Sequence, residues 1–249
     1  MGGTISIIIA TFNADKYLQN CLNSIIPQLN SNCELIIIDG ASKDDTVNII
    51  ERNSEFIKFT ISEPDKGIYD AWNKGIKASN NEWIMFIGAD DELLPGAINK
   101  YLTLLKSNDL SSYDYISAQN EFVNNQDKIL KIIGKGAEWS LMRRGNSAAH
   151  VASLHNKQNL FDKVGYYNLD FKICADYEIL LRKKENLKNY FLQSHIARMK
   201  VGGMSFTTKA IKESYEIRTK HNTITPFFNK LLFCRDYIAF KLFKLRKFV

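Results

Sequence analysis

The sequence predicts an α/β fold built on a mainly parallel sheet, and three observations support it. Short apolar runs rich in β-branched residues alternate with amphipathic helical patterns through the first half of the chain. Polar or acidic segments follow these runs, at the positions where parallel strands would end. Hydrophobic residues form 45% and charged residues 24% of the 249 residues, which excludes a disordered tail protein, a collagen and a disulfide scaffold.

Strands and helices alternate in the first half. The predicted strands are Ile5–Ala10, Glu34–Ile38, Ile57–Ile61 and Trp83–Ile87, and the predicted helices span about Asp15–Leu29, Thr46–Arg52, Tyr69–Ala78 and Pro95–Lys106. Asn13 is expected to cap the first helix, and Pro95 to open the fourth. Ligands of such sheets bind at the carboxyl ends of the strands, so the segments directly after each strand are candidate site segments.

The second half is less regular, and no internal repeat or flexible linker divides the chain. It contains predicted strands at Tyr113–Val123, Lys128–Gly134 and Tyr190–Lys200, and predicted helices at Asp176–Lys184 and Ile211–Lys220. The last segment carries an apolar stripe at steps of three and four residues, made of Phe227, Leu231, Cys234, Ile238, Leu242, Leu245 and Val249. We therefore expect one domain over residues 1–225 and a basic amphipathic helix over 226–249.

The positive charge is concentrated in that last segment. The formal net charge is +6, and residues 226–249 hold six basic residues against one acidic residue, so the remaining chain is nearly neutral. A nucleic-acid-binding domain should carry a basic stripe on its main fold, so no nucleic-acid partner is expected. The tail fits a helix lying on an anionic membrane, and the alternative is packing on the body or on a second subunit.

Several other classes of site are not indicated. The four cysteines form no Cys-x-x-Cys pair and are typical of free thiols in a reducing compartment, and no secretory signal or membrane-spanning run is expected. Neither Gly-x-Gly-x-x-Gly nor a P-loop motif is present, which argues against a dinucleotide enzyme and a P-loop ATPase. The histidines lack zinc-ligand spacing, and no Gly-x-Ser-x-Gly suggests a serine hydrolase.

Carboxylates in the segments after the strands are the candidate chemical groups. Asp90 and Asp91 could hold Mg²⁺ or Mn²⁺ together with substrate phosphates, or could cap the following helix. Asp39 could accept a hydrogen bond from a base or ribose, or could stabilise a turn. Lys66 could meet phosphate, or lie in a solvated loop. Asp176, among apolar neighbours at a predicted helix start, could be a general base or an N-cap.

These segments together resemble the family 2 inverting glycosyltransferases with a GT-A fold, over roughly residues 4–205. Bacterial transferases that build O-antigen, capsule or colanic-acid-type polysaccharides are especially similar. The segments that carry the resemblance are Ser6–Asn13, Ile38–Thr46, Ser62–Gly75, Gly88–Asp91, His150 and Ala175–Tyr177.

The resemblance implies roles for individual positions. The donor-binding residues would be Thr11, Phe12, Asn13, Asp39, Asp65, Lys66 and Asp90. Phe12 would stack on uracil where the family often has Tyr, and Asp90 would be the direct metal ligand. Gly88 stands where the Asp-x-Asp motif has its first carboxylate, so Asp91 is expected to compensate. His150 would lie between donor and acceptor sites, and Gly203 and Ser205 in a segment that closes over the diphosphate.

The implied activity is transfer of a hexose or N-acetylhexosamine from a UDP-sugar, with Mn²⁺ or Mg²⁺ as cofactor. Asp176 would take the proton of the acceptor hydroxyl, and a single displacement would give a β-linked product. The acceptor would be a polyprenyl-diphosphate-linked sugar, which places the protein in the cytoplasm, peripheral on the inner face of the cell membrane. A homodimer through the tail stays open.

Two other functions are compatible with parts of the pattern. A sugar-1-phosphate nucleotidyltransferase shares the sheet architecture, but its glycine-rich basic loop after the first strand is absent here. A non-catalytic, membrane-docked binding protein would use the tail alone, and it would not need carboxylates at the strand ends.

Overall fold

In the computed structural model, residues 3–124, 126–148, 151–200 and 207–246 are described. The strands are β1 (Ile5–Thr11), β2 (Cys33–Asp39), β3 (Phe59–Ser62), β4 (Trp83–Gly88), β5 (Glu92–Leu93), β6 (Tyr115–Val123), β7 (Ile129–Ile133), β8 (Leu154–Asn156) and β9 (Asn189–Lys200). The helices are α1 (Leu18–Ile25), α2 (Thr46–Arg52), α3 (Ile68–Ala78), α4 (Ala97–Ser107), α5 (Trp139–Met142), α6 (Asp162–Val164), α7 (Ala175–Leu181), α8 (Thr208–Lys220) and α9 (Pro226–Arg246). The predicted strands and helices occur in the predicted order, and the structure adds β5, α5, β8 and α6, which were not predicted.

The first four strands form the parallel part of the sheet. β1 pairs in parallel with β2 on one side and with β4 on the other, and β2 pairs in parallel with β3. Consequently the loops after all four strands meet at one edge of the sheet, as the sequence predicts.

Helices cover both faces of this parallel part. Ile5, Ile7 and Ile9 of β1 face a core that includes residues of α1 and α4, while Ile8 faces a second core with residues of α3 and α7. Because both faces of β1, β2 and β4 are buried, these three strands have continuous apolar sequences rather than alternating ones, whereas β3 at the end of the sheet is largely exposed. Leu18 of α1 belongs to the first of these cores.

The second half extends the sheet with mixed pairing. β8 is antiparallel to β4 and β6, and β9 is parallel to β6, so the sheet runs β3-β2-β1-β4-β8-β6-β9-β5, with β7 beside β6. The two-residue strand β5 was not predicted. It pairs with β9 and occupies the residues just before the next helix. As a result α4 begins at Ala97 rather than at Pro95.

The C-terminal helix α9 packs on α8 through one face. Asn229 is buried and accepts a 2.7 Å hydrogen bond from the Arg218 guanidinium, and the ring of Phe233 contacts the ring of Tyr215. The predicted apolar stripe faces away, since Phe227, Leu231, Ile238 and Leu242 are all exposed. Within the described residues, no helix combines the length and the apolar character needed to cross a bilayer.

Candidate active site

The loops after β1 and β2 are joined by hydrogen bonds of Asn13. Its N–H donates to the Ser42 hydroxyl at 2.8 Å, and its side-chain oxygen accepts from the Lys43 N–H at 2.9 Å. Asn13 has a φ of 48°, a left-handed conformation that Asn tolerates better than most residues. The expectation that Asn13 caps the first helix is wrong, because α1 begins at Leu18 and its N-terminal flank, Tyr17, makes no side-chain cap.

Asp39 lies buried at the centre of this edge and accepts four hydrogen bonds. Thr11 and Ser42 hydroxyls donate to Oδ1, and the Ser42 N–H and the Ser62 hydroxyl donate to Oδ2. Burial opposes ionisation, but these donors outweigh it and lower the pKa of Asp39. A carboxylate offers about four lone-pair positions, so a base could bind Asp39 only if a hydroxyl turned away.

Phe12 and Asp65 converge above Gly40. A Cβ at Gly40 would lie 2.6 Å from the Asp65 carboxylate and 3.3 Å from the Phe12 ring, so glycine permits this close approach. Phe12 is 65% exposed and its ring is open to a ligand. Lys66 is exposed beside Asp65, in a loop where Gly67 donates to Asp65 and the Lys66 N–H donates to Asp70.

The acidic turn at the end of β4 consists of Gly88–Asp91, and it directs the carboxylates of Asp90 and Asp91 toward the same space. A Cβ at Gly88 would lie 2.7 Å from Asp91 Oδ2 and 2.9 Å from Asp90 Oδ1. Asp90 is exposed, whereas Asp91 is buried and accepts a hydrogen bond from the Gly88 N–H. Burial and the neighbouring Asp90 raise the pKa of Asp91 well above its usual value. Neither residue caps a helix, because β5 lies between this turn and α4.

A divalent cation fits this donor set. The two carboxylates converge on the space that Gly88 leaves free. Burial first, and the neighbouring Asp90 second, oppose the ionisation of Asp91, and a cation between the two groups would offset both effects. Among the described residues, no cluster of three or more potential metal ligands occurs. Mg²⁺ sites of this type take few protein ligands and complete the shell with water and substrate phosphates.

Asp176 occupies the second position of α7 and is held by Tyr69 from α3. Its Oδ1 accepts from the Tyr69 hydroxyl at 3.1 Å and from the Tyr177 N–H at 2.8 Å. Burial raises the pKa of Asp176 to about 6, although these donors act in the opposite direction. The N-cap position of α7 belongs to Cys174, so the N-cap interpretation of Asp176 is wrong. A carboxyl group whose pKa is near 6 suits general-base chemistry.

A comparison with known protein families identifies the family of this chain. The family model described as Glycosyl transferase family 2 matches residues 6–214. The chain belongs to glycosyl transferase family 2.

Relatives and solved structures of this family are similar over most of the chain. A PGL/p-HBAD biosynthesis glycosyltransferase of Mycobacterium bovis is 29% identical over 184 residues, covering 71% of this chain and 68% of the relative. A dolichyl N-acetyl-α-D-glucosaminyl phosphate 3-β-D-2,3-diacetamido-2,3-dideoxy-β-D-glucuronosyltransferase of Methanococcus voltae is 28% identical, covering 91% of this chain and 67% of the relative.

The crystal structure of Staphylococcus aureus TarS 1-349 in complex with UDP-GlcNAc has the same fold. Its TM-score is 0.66 at 17% identity, with 86% of this chain and 64% of that chain covered. The predicted GT-A fold is thereby confirmed. The chain spans about two thirds of the length of all three proteins.

The structure brings most of the predicted family 2 site residues to one edge and adds others. Ser42, Ser62 and Tyr69 lie inside the segments singled out in the sequence. Ser42 binds Asp39 within the same turn, whereas the hydrogen bonds of Ser62 to Asp39 and of Tyr69 to Asp176 depend on tertiary contacts. His150, Gly203 and Ser205 lie outside the described residues, so their predicted roles stay predictions.

Proposed function

We propose that this family 2 enzyme is an inverting glycosyltransferase that moves a hexose or N-acetylhexosamine from a UDP-sugar to a lipid-linked sugar. The product is a β-linked sugar of a bacterial surface polysaccharide. The observation that carries the proposal is the Asp176 carboxyl group, half-buried beside Tyr69 with a pKa of about 6. This group is ionised in half or more of the molecules above pH 6 and can accept a proton from a hydroxyl.

The donor nucleotide is assigned to the edge formed by the first four strands. Phe12 offers an open ring for the uracil, and Asp65 beside it offers a carboxylate for base or ribose donors. Thr11, Asn13 and Ser42 hold this edge in shape around Asp39. Lys66 is exposed at the same loop and supplies positive charge for the diphosphate.

Asp90 and Asp91 would hold Mn²⁺ or Mg²⁺ against the diphosphate of the donor. When bound, the ion neutralises the negative charge that builds on the leaving diphosphate. The buried position of Asp91 and its hydrogen bond from Gly88 fix the turn, while the exposed Asp90 faces the ligand.

The transfer itself follows from the position of Asp176. An acceptor hydroxyl beside Asp176 gives its proton to the carboxylate as its oxygen bonds to the anomeric carbon. The bond from that carbon to the diphosphate breaks on the opposite face, and UDP leaves with the electron pair. One displacement inverts the anomeric centre, so an α-linked donor gives a β-linked product.

A lipid-linked acceptor is supported by the relative from Methanococcus voltae, whose name describes a dolichyl-linked sugar phosphate, and by the tail. The exposed stripe of α9 is flanked by Lys230 and Lys241 on one side and by Arg235 on the other. Lysine and arginine in such flanks reach anionic headgroups while the apolar stripe enters the interface. We therefore place the enzyme in the cytoplasm, on the inner face of the cell membrane.

The tail proposal can be tested by point substitutions on the exposed stripe. Deleting α9 would also remove Asn229 from Arg218, so Ile238→Glu with Leu242→Glu is the better variant. We expect it to lose binding to vesicles containing anionic lipid, whereas Ala239→Glu serves as the matched control. Unchanged vesicle binding would contradict membrane docking, and a shift from dimer to monomer in light scattering would favour a homodimer instead.

The activity is tested by a screen of UDP- and GDP-sugars with Mn²⁺ and a synthetic lipid-diphosphate sugar. We expect transfer from a UDP-sugar and a β-linkage in the product by NMR. Transfer only from GDP-sugars, or an α-linkage from an α-linked donor, would contradict the proposal.

A further inference from the structure

Glu213 of α8 binds the turn that precedes the proposed base. Its carboxylate accepts hydrogen bonds from three consecutive backbone N–H groups, those of Lys172 at 2.6 Å, Ile173 at 2.7 Å and Cys174 at 2.5 Å. Cys174 is the residue directly before α7, and its Sγ lies 3.6 Å from the carbonyl oxygen of Ala210, also in α8. Helix α8 therefore holds the start of α7 through a charged group and a second contact.

Tyr69 holds the same turn from the opposite side. Its hydroxyl lies 2.7 Å from the carbonyl oxygen of Ile173 and 3.1 Å from Oδ1 of Asp176. The peptide groups around Ile173 are thus fixed by Glu213 at their N–H groups and by Tyr69 at the carbonyl. Asp176 follows three residues later, so its position depends on both contacts.

We propose that Glu213 is a positioning residue for Asp176, holding the turn at 172–174 so that α7 presents the carboxylate to the acceptor hydroxyl. The inference rests on the proposed function for its catalytic consequence. Hydrogen bonds to a charged carboxylate are stronger than neutral ones, and a displacement of about 1 Å at a reacting group can cost about a hundredfold in rate.

The charge of Glu213 gives a readout that a purely structural role would not give. The groups that face Asp176 are Tyr69 from α3, Tyr167, Cys174 and the N–H of Tyr177, with Glu213 as the nearby carboxylate. A negative charge at Glu213 opposes ionisation of Asp176. Removing that charge should therefore lower the pKa of Asp176.

The experiment compares Glu213→Gln with Glu213→Asp and with Glu216→Gln on the full chain. Glu216 lies on the same helix, is exposed and pairs with the exposed Lys212, so it is a matched control. The readouts are the pKa of Asp176 from carboxyl ¹³C NMR, with Asp176→Asn for assignment, together with kcat for transfer and the Kd for UDP.

We expect Glu213→Gln to lower kcat about tenfold or more, to leave the Kd for UDP unchanged and to lower the pKa of Asp176. Glu213→Asp keeps the charge on a shorter side chain, so it should keep the pKa of Asp176 and recover part of kcat. Glu216→Gln should change nothing.

An unchanged kcat in Glu213→Gln would overturn the proposal, as would a loss of UDP binding equal to the loss of transfer. If the wild-type chain transfers no sugar but its Asp176 pKa still falls in Glu213→Gln, the proposed function fails while the positioning contact stands. If Glu213→Gln does not fold, Glu213→Asp decides the question, because its shorter side chain should still lower kcat, and a wild-type kcat there would overturn the proposal.

Discussion

The surroundings of Asp39 and those of Asp176 shift the pKa of a carboxyl group in opposite directions. At the edge formed by the first four strands, Asp39 is surrounded by hydroxyl and amide donors, which lower its pKa. At the start of α7, Asp176 is half-buried with fewer donors, and desolvation raises its pKa to about 6. Both are carboxyl groups of aspartate, and their surroundings determine whether each can take up a proton near neutral pH.

The difference between the two pKa values separates a group that organises a binding site from a group that can take a proton. A carboxylate whose lone pairs are occupied is a weak base, so Asp39 organises the loops of the proposed nucleotide site. A carboxyl group whose charge is poorly compensated accepts a proton readily near neutral pH, so Asp176 can act on the acceptor. Variants at each region should therefore affect different steps, and the following predictions test that separation.

The largest expected effect comes from Asp90→Ala. Loss of the exposed carboxylate removes the ligand that faces the diphosphate, and a cation of this kind contributes several kcal/mol to transfer, equal to about a thousandfold in rate. Calorimetry should show that Mn²⁺ no longer strengthens UDP binding. Glu55→Ala, an exposed acid outside the site, is the control, and Mn²⁺-dependent UDP binding in Asp90→Ala would contradict the metal assignment.

A smaller effect is expected from Phe12→Ala. Stacking of a base on an aromatic ring is worth about 1–3 kcal/mol, so the Kd for UDP should rise about tenfold to a hundredfold while kcat at saturation stays near wild type. Phe12→Tyr should keep the affinity. Phe56→Ala removes another exposed ring and should bind UDP normally, and equal losses in both Ala variants would count against stacking at Phe12.

The smallest of the three effects is expected from Gly40→Ala. The new Cβ would press on the end of the Asp65 side chain, which can shift, so the overpacking cost is at the low end, about 1 kcal/mol, and UDP binding should weaken about fivefold. In a double-mutant cycle, Gly40→Ala should cost little in an Asp65→Ala background, because the clash is gone. Strict additivity of the two losses would show that Asp65 and Gly40 do not meet.

The sequence predicts the donor edge far better than the acceptor side. β1, β2 and β4 are apolar runs that end at Thr11, Asp39 and the acidic turn, so local pattern and parallel topology place these groups together without knowledge of packing. The role of Glu213 had no such signal, because it reaches Cys174 from 39 positions away in the chain. Short irregular pairing also escaped prediction, as the two-residue strand β5 shows.

The most direct test is the transfer rate of Asp176→Asn measured beside its UDP affinity. Asn is nearly the same size and cannot accept the proton, and loss of a general base costs about a hundredfold to ten-thousandfold. The wild-type rate should fall below about pH 6 as Asp176 becomes protonated, and the residual rate of the variant should lack that dependence. We predict a loss of this size with the Kd for UDP unchanged; near wild-type turnover, or loss of UDP binding instead, would contradict the account.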